Sequence, residues 1–260
     1  GFSALQKNTT GANNVAVGAA ALDANTTGTK NTAVGQAALG KNTTAGSNTA
    51  VGQGALQETT TASNNTAVGT DALNQNTTGT GNVAVGSESF DANTTGSFST
   101  AVGSLALTSN TTGNSNTAIG RRALQENTTA SDNTAVGIEA LKNTTTGASN
   151  TAVGSEALLD CTTGTVNTGV GRQALQNVTT GDANTSIGEN AGSTTTTGSN
   201  NTCLGRDAVA ASASTSNSVT LGNSSVDSLR CQVQTISSLS DARDKTNIVD
   251  IEDGLDLINL

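Results

Sequence analysis

Apolar residues along the chain fall on a fixed beat. A branched apolar residue stands immediately before a glycine at Val17, Val34, Val51, Val68, Val85, Val102, Ile119, Val136, Val153, Val170, Ile187, Leu204 and Leu221. The residue before it is small, as at Ala16, Ala33 and Ala50, and relaxes late to Gly169, Ser186, Cys203 and Thr220. The glycines run from Gly1, Gly18 and Gly35 to Gly222 at intervals of 17 residues, with no insertion or deletion. Four residues past the glycine comes leucine, as at Leu5, Leu22 and Leu39; Phe90 replaces it once, Gly192 breaks the series, and Val209 and Val226 resume it. A Thr-Thr pair follows, as in Thr26-Thr27 and Thr128-Thr129.

An invariant period means that each repeat is one structural unit stacked on the last. Ordinary loops tolerate length changes cheaply, whereas in a stacked strand one extra residue turns every side chain to the opposite face. A period of 17 residues is too short for a pair of helices, and Val and Thr favour pleated backbone. The pattern therefore predicts an all-β protein: a β-solenoid of about 13 rungs over residues 1–222. Asn-Thr-Ala-Val and Asn-Thr-Thr are predicted as short strands, with glycine at the tight corners. At roughly 4.8 Å per coil the rod is about 60 Å long. Asn25-Thr26-Thr27 and its equivalents match the glycosylation acceptor pattern. Recurring in phase, they read instead as Asn and Thr ladders bonded from rung to rung.

Each rung supplies two large apolar side chains, Val and Leu, for 17 ordered residues, a thin core against ~1.5 kcal/mol of conformational entropy per residue. Adjacent strand residues face opposite ways, yet the Ala and Val positions are both restricted. One face fills the coil, and the other calls for a cover. A homotrimeric fibre supplies it; a monomeric coil whose Ala merely suits tight turns is the alternative.

Composition narrows the function. The chain has no Trp, Tyr, Met, His or Pro and three Phe, so aromatic anchors for a large core or a sugar platform are missing. A net charge of −9 disfavours nucleic acid. No apolar run approaches the ~20 residues of a membrane-spanning helix, so no membrane insertion is expected. Charges gather at corners after the glycine (Arg121, Arg122, Glu139, Glu156, Arg172) and after the leucine (Asp23, Glu58, Asp91, Glu126, Lys142). These acids mark no repeated cleft of paired carboxylates, which argues against a polysaccharide-degrading enzyme. The regular Thr arrays raise an ice-binding reading, against which the variable charged corners speak. Cys161, Cys203 and Cys231 are widely spaced and read as occupants of small-residue positions. No metal site and no cofactor are expected.

The beat ends at Gly222. Residues 223–239 form a loosely alternating transition, and residues 240–260 change character, from Ser240-Asp241-Ala242-Arg243-Asp244-Lys245-Thr246-Asn247-Ile248 to Gly254-Leu255-Asp256-Leu257-Ile258. This segment resembles the opening of the intramolecular chaperone domain of endosialidase type (peptidase family S74), found at the ends of phage tail fibres and tailspikes. Ser240, Asp241, Arg243, Lys245, Asn247 and Ile248 match its motif, and Asp244 departs from it. The resemblance covers about 21 residues of a domain that needs roughly a hundred more. It implies a helix after the motif, chaperone-assisted trimerisation, and self-cleavage between Leu239 and Ser240. Ser240 would be the nucleophile and Lys245 its base, a pairing that needs a Lys of lowered pKa. The Asn-Thr-Ala-Val-Gly rungs are also similar to those of trimeric autotransporter adhesin heads, with a different period. The function expected is a structural, non-enzymatic shaft of a viral, phage-type tail fibre or tailspike. Located on the virion tail or extracellularly, it attaches to a host-cell surface glycan receptor. The alternative is a bacterial surface adhesin.

Overall fold

The computed structural model describes residues 1–228, of which Gly1–Ser225 form one compact unit. It is a parallel β-solenoid. Thirteen strands of three residues follow one another from β1 (Val15–Val17) and β2 (Thr32–Val34) to β13 (Val219–Leu221). They form one sheet in chain order. Each strand pairs with the next in parallel, in a register that sets Val15 beside Thr32, Ala16 beside Ala33 and Val17 beside Val34. Among the described residues there is no helix.

The glycine that closes each strand explains both the strand's length and the beat. From Gly18 to Gly188 its φ lies between 131 and 141°, a region L-residues rarely enter. A β-carbon there would also run into the carbonyl of the next rung's glycine. The glycines thus stack as a spine that admits no side chain. Beyond it the chain turns through left-handed residues, including Ala20 at φ 55° and Leu22 at φ 49°. Such a conformation costs a non-glycine residue about 1–3 kcal/mol. Leu22 is fully buried, and burying a leucine returns about 1.5–3 kcal/mol. The two effects are of one size, so the core leucine can hold its own corner. Sequence patterns give no sign of this.

The sheet divides the strand's side chains. Ala33 points inward and is fully buried, as are Ala38 and Leu39 of the rung that follows. Of the two large apolar side chains per rung, only leucine fills the coil. The valines face outward: Val17 is 56% exposed and Val51 36%. Interior volume is therefore small, which is why alanine prevails there.

The second predicted strand is absent. Asn-Thr-Thr forms a bend in every rung. Three successive N–H groups, from Thr26, Thr27 and Gly28, converge on the single carbonyl of Thr43, at 2.9, 3.2 and 3.4 Å. The Thr26 hydroxyl donates to that same oxygen at 3.0 Å. A strand would alternate donors and acceptors along its edge; here the backbone curls around one acceptor, and threonine's pleat preference yields to that curl.

Two asparagine ladders run through the interior. The strand-side ladder is formed by the residue before each strand, from Asn14 and Asn31 to Asn201 and Ser218. Asn31 Oδ1 accepts from the backbone N–H of Asn48 at 3.0 Å, and its Nδ2 donates to the Ala45 carbonyl at 2.8 Å. The turn-side ladder is formed by the residue before each Thr pair: Asn42 Nδ2 donates to Asn25 Oδ1 and to the Ala45 carbonyl. The turn-side ladder is the one expected from the Asn-Thr-Thr triplets; the strand-side ladder is unanticipated, and both are buried over most of their length.

Candidate interaction surface

Ser240, Lys245 and the Leu239–Ser240 bond lie outside the described residues, as do Cys231 and the helix implied after the motif. Among the described residues no cluster of three or more His, Cys, Asp or Glu is placed to hold a metal. No helix among them is long and apolar enough to cross a membrane. Cys161 takes a turn-side asparagine position and Cys203 a strand alanine position; both are buried and free. Burial pushes the Cys161 thiol up to about 12, so it stays protonated and unreactive at neutral pH. Two open hollows, of about 510 and 490 Å³, are lined mainly by polar residues such as Asp207 and Asn223, and Glu58 and Gln75. Among the described residues no hydrogen bond joins a hydroxyl of either lining to Asp207 or Glu58.

The rod has three sides with different chemistry. Its charged side follows the glycine spine and carries rung-to-rung ion pairs. Lys41 meets Glu58 at 2.6 Å, Glu139 takes both Arg121 and Arg122, and Arg172 meets Glu189. Each pair keeps at least one well-solvated partner, so each contributes about 1 kcal/mol or less. On this side burial, with Asp71 and Glu88 nearby, raises the pKa of Asp91. Apart from Lys30, Asp132 and Asp182, every charged side chain of the solenoid sits here.

On the sheet side each strand presents two outward side chains. One is Thr, or Val at Val15, Val83 and Val219; the other is the valine position before the glycine. No Lys, Arg, Asp or Glu occurs at either position in any of the thirteen strands. The result is a flat ladder of methyl groups and hydroxyls, one step per rung. Its valines remain partly exposed along the whole length, reaching 40% at Ile119 and 47% at Ile187.

The threonine side bears the Thr pairs. The hydroxyl of the first Thr of each pair, Thr60 excepted, donates to the neighbouring rung, as Thr94 does to the Thr111 carbonyl at 3.0 Å. The second is exposed in all twelve rungs from Thr10 to Thr197. Among the described residues none of these second hydroxyls has a partner within the chain. Sequence reading treats each pair as one ladder and misses that its halves do different work. The signal was available, because the second Thr never varies over twelve rungs while the positions around it do.

No family model, curated protein or solved structure matches the chain.

Proposed function

We propose that the chain is the shaft of a homotrimeric viral, phage-type tail fibre or tailspike, a structural element that carries attachment to a host-cell surface glycan. The observation that supports it most is the sheet side: an uncharged Thr and Val ladder, partly exposed over thirteen rungs. At ~25 cal/mol per Å², covering such a face stabilises a long assembly, and a rod with one adhesive side and one solvated side suits a bundle of rods. The viral attribution rests on residues 240–260, whose resemblance to S74-type chaperone domains implies maturation by trimerisation and a cut before Ser240. A bacterial surface adhesin is the second reading, favoured by the rungs' similarity to autotransporter heads. The proposal assigns the chain no enzymatic role beyond that self-cleavage.

Mass in solution together with images of the particle tests the assembly. A threefold mass and thin rods are expected, and a clean monomer would sink the homotrimer. For maturation, a chain extended through a complete chaperone domain should be cut after Leu239. The same chain with Ser240→Ala should stay whole on a gel. Persistent processing of that variant would remove Ser240 as nucleophile. Tail or baseplate genes beside this one support the virus; secretion or anchor genes support the adhesin.

A further inference from the structure

The sheet side and the threonine side share three properties that the charged side does not have. Both carry no charge in any rung from Gly1 to Leu221, both hold their residue type nearly constant, and both step once per 17 residues. The sheet side is Thr or Val beside Val, Ile or Leu, and the threonine side is an exposed Thr in twelve consecutive rungs. Neither constancy serves the chain's own interior, since these side chains point out of it. The ridge between them varies from rung to rung: it carries Phe98 and Val166, 72% and 60% exposed, and also the charged Lys30, Asp132 and Asp182. Phe98 and Val166 are among the most exposed large apolar side chains of the middle rungs.

A cover for such a face must be uncharged over the same length and must repeat at the same rise, or its contacts drift out of step. A second copy of this chain meets both demands. We infer that the threonine side of one copy packs against the sheet side of the next, so that each copy of the trimer uses two different faces. This rests on the homotrimer proposed above and specifies its interface. Two unlike faces per subunit are what a closed ring of identical copies requires when the contact is not self-complementary. The charged side is left to water. The size is adequate: a face about 60 Å long and about 10 Å wide covers roughly 600 Å² at a strand spacing of ~4.8 Å. Counting both partners, each interface then buries roughly 1,200 Å², at the lower end of the ~1,200–2,000 Å² of specific complexes, and the closed ring makes three of them.

Thr112 and Ile119 lie in one rung, the first on the threonine side and the second in the sheet ladder. Oxidising the full-length trimer bearing Thr112→Cys together with Ile119→Cys should give a covalent trimer on a non-reducing gel. Each single variant, with native mass and circular dichroism unchanged, should give none. Cross-linking by Ile119→Cys alone would show sheet meeting sheet, and by Thr112→Cys alone ladder meeting ladder. Either result overturns the inference and leaves the trimer standing. An intact trimer whose double variant does not cross-link overturns it as well. A wild-type chain that is monomeric fails at the earlier step, where the trimer itself falls. As a second readout, Thr112→Lys and Ile119→Lys should each shift the particle from trimer mass toward monomer. Gln125→Lys, on the charged side, should leave the mass unchanged.

Discussion

The two asparagine ladders look alike in sequence, yet the chain treats them differently. On the strand side the amide is interrupted only by Ser99 and Ser218. Ser99 still accepts the N–H of Asn116 through Oγ at 3.0 Å. On the turn side Thr59, Thr144, Cys161, Val178 and Thr195 all replace asparagine. Both ladders donate to the same row of carbonyls, but only the strand-side ladder also caps a backbone N–H of the next rung. A lost turn-side amide leaves that carbonyl its other donor: at Thr59 the Ala62 carbonyl keeps Asn48, and at Val178 the Gly181 carbonyl keeps Asn167. Where Ser99 lacks an amide, Asn110 serves Gly113 instead. No carbonyl of this row loses both donors. The redundancy tells which substitutions a repeat can absorb.

The sharpest way to break that distinction is Asn133→Ala. The Gly147 carbonyl has no turn-side donor, because Thr144 stands there, and it relies on Asn133 at 2.9 Å. The variant orphans this carbonyl and the Asn150 N–H, which bonds Asn133 Oδ1 at 2.8 Å. Two buried orphans should cost about 2–5 kcal/mol, read as a lower denaturation midpoint and faster exchange of the Asn150 amide. A smaller effect is a coupling. Asn82 and Asn93 both donate to the Gly96 carbonyl. Their joint change to alanine should therefore exceed the sum of the single changes by about 0.5–3 kcal/mol. Simple additivity would mean that the shared carbonyl is not what links the ladders.

Repair is expected to gain less. Asn42 Oδ1 has no donor because Thr59 follows it in the ladder. Thr59→Asn offers that donor and rejoins the ladder to Asn76, at the loss of the Thr59 hydroxyl bond to the Asn76 carbonyl. A net gain of about 0.5–1 kcal/mol should appear as a raised midpoint. The smallest effect lies outside the ladders, at Asp91. Its pKa is raised, first by burial and then by Asp71 and Glu88, so ionisation is harder in the folded chain than in the unfolded one. The cost is absent below the usual carboxylate pKa and develops as pH rises through the folded value. Asp91→Asn should therefore be the more stable form at neutral pH, with the difference vanishing near pH 3. An advantage that persists in acid would point to packing instead of charge.

Much of this architecture was legible. The period, the parallel stacking and the glycine corners follow from the beat of Gly18 to Gly222, because stacking forbids any change of length. Which strand residue faces inward was not legible, since Ala33 and Val34 are equally restricted although one lines a narrow interior and the other faces outward. Asn-Thr-Thr misled because local preference for pleat lost to three N–H groups sharing one acceptor. The left-handed Leu22 was hidden for a related reason, as only burial stabilises it there. Of the candidate surface, the Val ladder was foreshadowed by the thin core, whereas the exposed half of each Thr pair required the side chains to be placed. Ser240 and Lys245 were read from their motif, beyond the described rungs.

The glycine spine carries one further consequence, for how such a rod changes over generations. Because every rung meets the next through the same side-chain-free seam, a gain or loss of sequence is accommodated only in whole repeats. Each one moves whatever the rod bears by about 4.8 Å, so its reach is inherited in graduations, as on a ruler.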